Sequence, residues 1–397
     1  MSGPLSSLKI LDFTALLPGP FATMMLADMG AEIIRIEAPH RPDLVRLMPP
    51  FDGDTSAWHR VLNRSKRALA LDLKRPEAVE IIHRLIKERS FNIIVEQFRP
   101  GVMERLGLDY ERLEAVEPSL IYCAITGYGQ TGPLRERAGH DINYLALSGV
   151  MSHSGRRETG PTPMGVQIAD VGGGSLGALV GLLAAVIHRQ VTGEGQFVDI
   201  SMYDMMLAWQ AHIISQHLIG DETPQREALP LNGGGFYDYY ETADGRFLAV
   251  GSLEPQFWQG FCKAIGQPEL VSAGYTQDPR VQQEVKESVR QAMRQKTLAE
   301  WDVVFATVDV CVEPVLTIPE AVAQPQTTAR AMIVEVERPD GTLQRQVASP
   351  YKFSKTPASY RHTGTALGAD TDEILSEIGY DAPAIAALRE AGVLGTA

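Results

Sequence analysis

The chain has 397 residues, too many for one small core, so its length favours two domains or one large fold with insertions. With 44% hydrophobic and 21% charged residues it has the composition of a soluble globular protein. A net charge of −13 argues against general nucleic-acid or anionic-membrane binding, and an anionic ligand needs a local basic site.

In chain order, "LKILDFT" predicts a short apolar strand and "PGPFATMMLADMGAE" a helix. "EIIRIEAP" and "ALALDLK" are strand-like, and "PEAVEIIHRLIKERS" is a helix with Pro76 at its start and basic residues near its end. "FNIIVEQFRPG" and "LIYCAITGYG" are strands that run into glycine turns. Strands alternating with helices predict a parallel sheet covered on both faces, a Rossmann-like arrangement that binds ligands beyond the carboxyl ends of its strands. After about residue 200 the pattern changes. "SMYDMMLAWQAHIISQHL" predicts one long helix, and "IGDETPQREALPLNGGGF" reads as a connector. "FYDYYETADGRFLAVGS" and "RAMIVEVERPDGTLQRQVASP" are hairpins with Asp-Gly turns, and "PQFWQGFCKAIG" and "LAEWDVVFATVD" are helical. This half predicts a smaller α+β domain, followed by C-terminal helices.

Cys123, Cys262 and Cys311 are widely spaced, which gives neither a disulfide framework nor a CxxC metal pattern and fits a reducing, cytoplasmic setting. No signal peptide is expected from "MSGPLSSLKILDF". The run "GALVGLLAAVI" is too short to span a bilayer, so no membrane insertion is expected. GxGxxG placed between a strand and a helix and GxxxxGK[ST] are both missing, and no bound metal or tightly held cofactor is expected.

His140 in "AGHDINYLALSGV" falls at a helix N-terminus, where the dipole disfavours imidazolium and leaves a neutral ring able to act as a base. The alternative is a histidine held by structural hydrogen bonds. Thirty residues on (170 − 140), Asp170 precedes three glycines and a small-residue helix, at the N-cap or first turn. Gly172, Gly173 and Gly174 suggest a close backbone approach to a ligand or another chain. Two such groups facing one carbon from opposite sides are what a two-base proton transfer needs. Arg64, Lys66, Arg67, Lys74, Arg99, Arg105, Arg135 and Arg137 are solvated charges taken singly; together, after strand-like runs, they point to an anionic cofactor-like group. Gly233–Gly235 read as a lid or a linker, and Glu241 follows an aromatic strand.

These stretches, with "LNRSKRALALDLK", "EQFRPGVMERLGL", "GHDINYLALSG", "ADVGGGSLGALVGLLAAVIHRQVTGEGQFVDISMYD" and "LGADTDEILSEIGYD", together resemble the class III CoA-transferase and α-methylacyl-CoA racemase family over almost the whole chain. The resemblance implies a catalytic aspartate at Asp170: the nucleophile that forms a mixed anhydride in the transferases, one of two acid/bases in the racemases. "GHDINY" resembles the racemases, with His140 as the second acid/base, whereas formyl-CoA-type transferases usually carry an aromatic residue there. Leu17 stands where many of those transferases carry a glutamine, and Glu241 matches a glutamate near the racemase site.

The implied reaction is epimerisation at C2 of a 2-methylacyl-CoA through an enolate, with CoA transfer as the alternative. In it Asp141 offers its backbone N–H to the enolate, and Gly139 and Tyr144 line the thioester end. Coenzyme A, the substrate's carrier, lies on Arg64, Lys66, Arg99, Arg105 and Arg137. Ala38 replaces an arginine common in the racemases, and Arg41 is its candidate substitute. The resemblance also implies an interlocked homodimer. The expected domains are a large CoA-binding domain begun at 1–200, a linker helix and connector at 201–238, a small domain at 239–328, a returning hairpin at 329–347, and the rest of the large domain at 348–397.

Overall fold

In the computed structural model, which describes residues 3–395, one sheet holds six parallel strands. They are β1 (Lys9–Asp12), β2 (Glu32–Glu37), β3 (Arg67–Ala70), β4 (Ile93–Glu96), β5 (Ile121–Thr126) and β6 (Gln196–Ser201), in the order β3-β2-β1-β4-β5-β6. Leu11 of β1 sits in register with Ile34 of β2 on one side and Ile94 of β4 on the other. Strand order reverses between β1 and β4, which places the ligand crevice of a doubly wound sheet beyond Asp12 and Glu96. The expected α/β class and parallel sheet are therefore present. The sixth strand escapes the sequence reading because "QFVDIS" alternates like an exposed edge.

Helices α1 (Pro18–Asp28), α2 (Pro76–Arg89), α3 (Asp141–Leu147), α4 (Leu176–Thr192) and α5 (Met202–Trp209) follow the strands. One sheet face packs Ile10, Ile33, Val95, Cys123 and Ile125 against α1 and α4. The other packs Leu11, Ile34, Ile94 and Tyr122 against α2 and against the C-terminal residues Ile374, Leu375 and Ile385. Burial on both faces explains why the inner strands are almost continuously apolar. A π-helical turn (Ala169–Ser175) precedes α4, and the combined helix Ala169–Thr192 is 24 residues. It is longer than the apolar run suggested, and by length and composition alone it is long enough to cross a bilayer. Of its apolar window 56% is buried inside the protein, as in a core helix.

The chain divides into two compact units. The first runs through Leu145, then Gly165–Ala208, then from Gln326 onward; the second comprises Ala146–Met164 and Trp209–Pro325. The second unit holds an antiparallel sheet of β7 (Asp238–Glu241), β8 (Phe247–Val250) and β9 (Val312–Pro314). It is backed by α6 (Pro255–Ala264), α7 (Pro279–Met293) and α8 (Leu298–Phe305) through Trp258, Phe261, Val289 and Trp301.

Three boundaries differ from expectation. Residues 146–164 belong to the second unit, anchored there by Arg156, whose guanidinium donates to Asp238 at 2.6 and 2.7 Å. The single long helix is two, Met202–Trp209 and Ala211–Gly220, broken at Gln210. The hairpin β10 (Ile333–Glu337) and β11 (Leu343–Val347) is part of the first unit rather than a linker, held by Arg338 on Asp52 at 2.8 Å.

Candidate active site

Asp170 lies half-buried in the first turn of the π-helical segment. At a helix N-terminus a carboxylate is normally favoured. Here burial, and secondarily the charge of Asp141, push its carboxyl up to about 6. The glycines behind it have a different reason from the one expected. A Cβ on Gly174 would sit 2.9 Å from Pro18 Cβ and 3.1 Å from Met202 Sδ, and one on Gly173 would sit 3.3 Å from Met206 Cε. The close approach is to α1 and α5 of the same chain, and Ser175 seals it by donating to the Pro18 carbonyl at 2.6 Å. A π-turn in an α-helix is frequently a site feature, because it re-aims one side chain at the expense of helix geometry.

His140 caps α3. Its carbonyl accepts from the Asn143 N–H at 2.8 Å, and its own N–H donates to Asn143 Oδ1 at 3.0 Å. The side chain is exposed and has no hydrogen-bond partner among the described residues. The backbone is therefore structural while the ring is free for chemistry. The neighbouring carboxylate joins the two segments: Asp141 Oδ1 accepts from the N–H groups of Ala169 at 2.6 Å and Asp170 at 3.1 Å. Behind them Tyr144 is buried, donates its hydroxyl to the Gly139 carbonyl at 2.6 Å, and packs edge-on against Tyr128 at 5.2 Å. A Cβ at Gly139 would meet Tyr144 Cε1 at 2.7 Å, so only glycine fits this turn. Burial first, then the charge of Asp170, raises the Tyr144 phenol; Arg99 opposes that shift and so lies in the same electrostatic neighbourhood.

The five expected phosphate contacts divide. Arg64 and Lys66 are 1% and 2% exposed. Arg64 donates to Asp28 at 2.6 and 2.8 Å, and Lys66 to Asp12, Thr23, Asn63 and the Pro20 carbonyl at 2.7–3.1 Å. Burial pulls the Lys66 ammonium down to about 8, with Asp12 opposing. Neither is open to a phosphate, and both expectations are corrected: these cations neutralise buried carboxylates. Arg99, on the loop after β4, Arg105, at the end of the short helix Val102–Arg105, and Arg137, before α3, are exposed with no ion-pair partner among the described residues. Ala38 and Arg41 face each other across a tight turn, which leaves exposed Arg41 beside the vacant arginine position.

Glu241 ends β7 in the second unit, where it accepts from Arg294 at 2.8 Å. The Gly233 loop is pinned rather than loose, because buried Lys286 donates to the Gly233 carbonyl at 2.6 Å. A cavity of about 680 Å³ opens beside Glu96, Arg99, Tyr110, Tyr122 and Phe197, and neither His140 nor Asp170 lines it. Sequence reading missed Gln97, whose Oε1 accepts from the Gly19 N–H at 2.9 Å and fixes the start of α1 at the strand-order reversal. It also missed the Asp141 carboxylate. A signal for the buried ion pairs did exist: Asp12 and Asp28 are lone acids within apolar runs.

The CoA-transferase family III profile matches residues 5–371. The human succinyl-CoA:glutarate CoA-transferase is 34% identical over 98% of this chain and 90% of its own length. The human α-methylacyl-CoA racemase is 36% identical over 95% of this chain and 94% of its own length. A solved CAIB/BAIF family protein from Brucella suis superposes with a TM-score of 0.82 at 28% identity, covering 95% of this chain and 100% of that one. Sheet order, the paired helix starts and full-length similarity agree, and the chain belongs to CoA-transferase family III.

Proposed function

We propose that the protein epimerises the C2 centre of 2-methylacyl-CoA thioesters by two-base proton transfer. The observation that carries this reading is the exposed ring of His140, without a hydrogen-bond partner among the described residues, beside Asp170 at two helix starts bridged by Asp141. The thioester carbonyl acidifies the C2 proton. One group removes it as a base, and the C–H electron pair moves into an enolate. The other group, in its protonated form, returns a proton to the opposite face, so the substrate gains and loses one proton and no co-reactant is needed. A carboxyl near 6 is suited to both halves, because it is neither permanently ionised nor permanently protonated at neutral pH. Exposed Arg99, Arg105 and Arg137 are the cations left for the CoA phosphates. Glu241, which the family resemblance implies tunes or shares protons with Asp170, is paired with Arg294 in its own unit.

The second reading is CoA transfer through Asp170 as nucleophile, favoured by transferase relatives of similar identity. Against it stands Leu17, an apolar side chain at the start of α1 that cannot hydrogen-bond an anhydride oxygen. Incubating a (2R)-2-methylacyl-CoA in D2O separates the two. The racemase incorporates deuterium at C2 and forms the (2S) epimer without an acceptor acid; a transferase needs a second carboxylic acid and yields an aspartyl adduct trapped by hydroxylamine. Absence of exchange at C2 rejects the first reading. We also propose a homodimer, since α4 presents Val180, Ala184, Ile187 and Val191 outward on one face, with the three larger residues 71%, 63% and 82% exposed.

A further inference from the structure

His140 and Asp170 come from segments whose connecting chain, Ala146–Met164, belongs to the other unit. The covalent path therefore does little to fix their spacing. A direct link within the first unit is the Asp141 carboxylate, one oxygen of which takes both the Ala169 and Asp170 N–H groups. These are donors in the opening turn of the Asp170 helix, where the first intrahelical bond is Val171 N–H to the Gln167 carbonyl. Such donors have no partner of their own in the helix, and an N-cap side chain normally takes them. No side chain at the start of this helix does so, and Asp141, from α3, supplies the cap from outside. The same residue follows His140 directly in the chain.

We propose that Asp141 is the positioning residue of this site: its carboxylate caps the Asp170 helix from outside, locks the two reacting groups into one arrangement and sets a fixed negative charge against Asp170. The charge has a chemical consequence. The N-terminal end of a helix lowers the pKa of a carboxyl, which would leave Asp170 ionised and unable to donate a proton at neutral pH. Burial of Asp170 opposes that pull first, and the Asp141 carboxylate adds to the opposition. From α3 and its cap the groups near Asp170 are His140, Asp141 and Tyr144, whose hydroxyl is committed to Gly139; Arg99 acts on the same Tyr144, and α1 and α5 bring apolar Pro18, Met202 and Met206 to the turn. Asp141 thus acts through Asp170, and its role is the same whether Asp170 moves a proton or attacks an acyl carbon.

This rests on Asp170 being the reacting carboxyl, and the test is arranged so that the two ideas fail separately. The Asp170 carboxyl is titrated by 13C NMR in the substrate-free protein, with Asp170→Asn identifying its resonance. In Asp141→Asn the amide oxygen still accepts both N–H groups but the charge is gone, so the Asp170 titration is expected to fall by about one unit. The corresponding limb of the kcat/KM pH profile should move with it while KM stays put. Asp141→Ala also removes the cap, so the Ala169 and Asp170 amides should exchange faster and kcat should fall by about a hundredfold through misplacement. An Asp170 titration unchanged in Asp141→Asn overturns the proposal even if the enzyme is active. A shifted titration sustains it even if the reaction proves to be transfer.

Discussion

A carboxyl in the first turn of a helix would ordinarily be a stronger acid than in water, yet Asp170 is weaker, raised to about 6. Desolvation by burial outweighs the helix dipole, and Asp141 adds to it. The pH dependence is the same from either epimer, because epimerisation takes up and releases no net proton and its equilibrium constant does not vary with pH. The two competent forms, ionised Asp170 with protonated His140 and protonated Asp170 with neutral His140, hold the same number of protons, so kcat/KM in both directions falls on either side of the range in which the pair holds one proton. Initial-rate profiles from each pure epimer check this, and profiles of different shape would rule it out. His140→Ala should lower epimerisation by about 10²- to 10⁴-fold. Its melting temperature should stay within a degree or two of wild type, because the exposed ring has no hydrogen-bond partner to lose among the described residues. Glu96 gives a separate test. Burial pushes it up to about 8, while the Phe98 N–H bond opposes the shift. Its folded pKa lies above its unfolded value, so the stability from this group is complete below about 4.5 and is lost as pH rises to about 8. Glu96→Gln should therefore flatten that decline in urea unfolding measured between pH 5 and 9.

At the scale of elements, the site depends on how closely α1, α5 and the π-turn pack. Adding a methyl group at Gly174 would gain helix propensity of about 1 kcal/mol. It would also drive a Cβ to 2.9 Å from Pro18. Met202 can rotate away, but the proline ring at the start of α1 cannot, so overpacking wins. Gly174→Ala should destabilise the protein by about 1–3 kcal/mol in denaturant titration and shift α1. The loop after β1 is under related constraint: Leu16 has φ of +61°, unusual for a side chain that is not glycine, and Asp43 holds it by accepting from its N–H at 3.0 Å. The loop after β4 meets the start of α1 where strand order reverses, joined by Gln97 and Gly19.

For the whole molecule, how the buried charges pair matters more than the net balance of −13. Asp12 with Lys66 and Asp28 with Arg64 are sealed pairs in an acidic protein. Removing one member, as in Lys66→Ala, leaves Asp12 buried and unpaired and should cost about 3–5 kcal/mol in unfolding free energy. The folded fraction should keep its affinity for CoA, whereas Arg99→Ala should weaken CoA binding with little change in melting temperature; calorimetry on both variants separates the roles. The sequence by itself determined the parallel α/β class, five of the six strands, Asp170 in a first helical turn and His140 at a helix start, because periodicity, turn residues and caps are local signals. Tertiary structure alone decided which cations are interior, what Gly173 and Gly174 abut, that residues 146–164 belong to the second unit, and that Asp141 caps a helix from outside. Each of these depends on partners far away in the chain, such as Asp12 for Lys66 and Pro18 for Gly174, and the identity of a residue does not reveal which distant group the fold will bring within 3 Å of it.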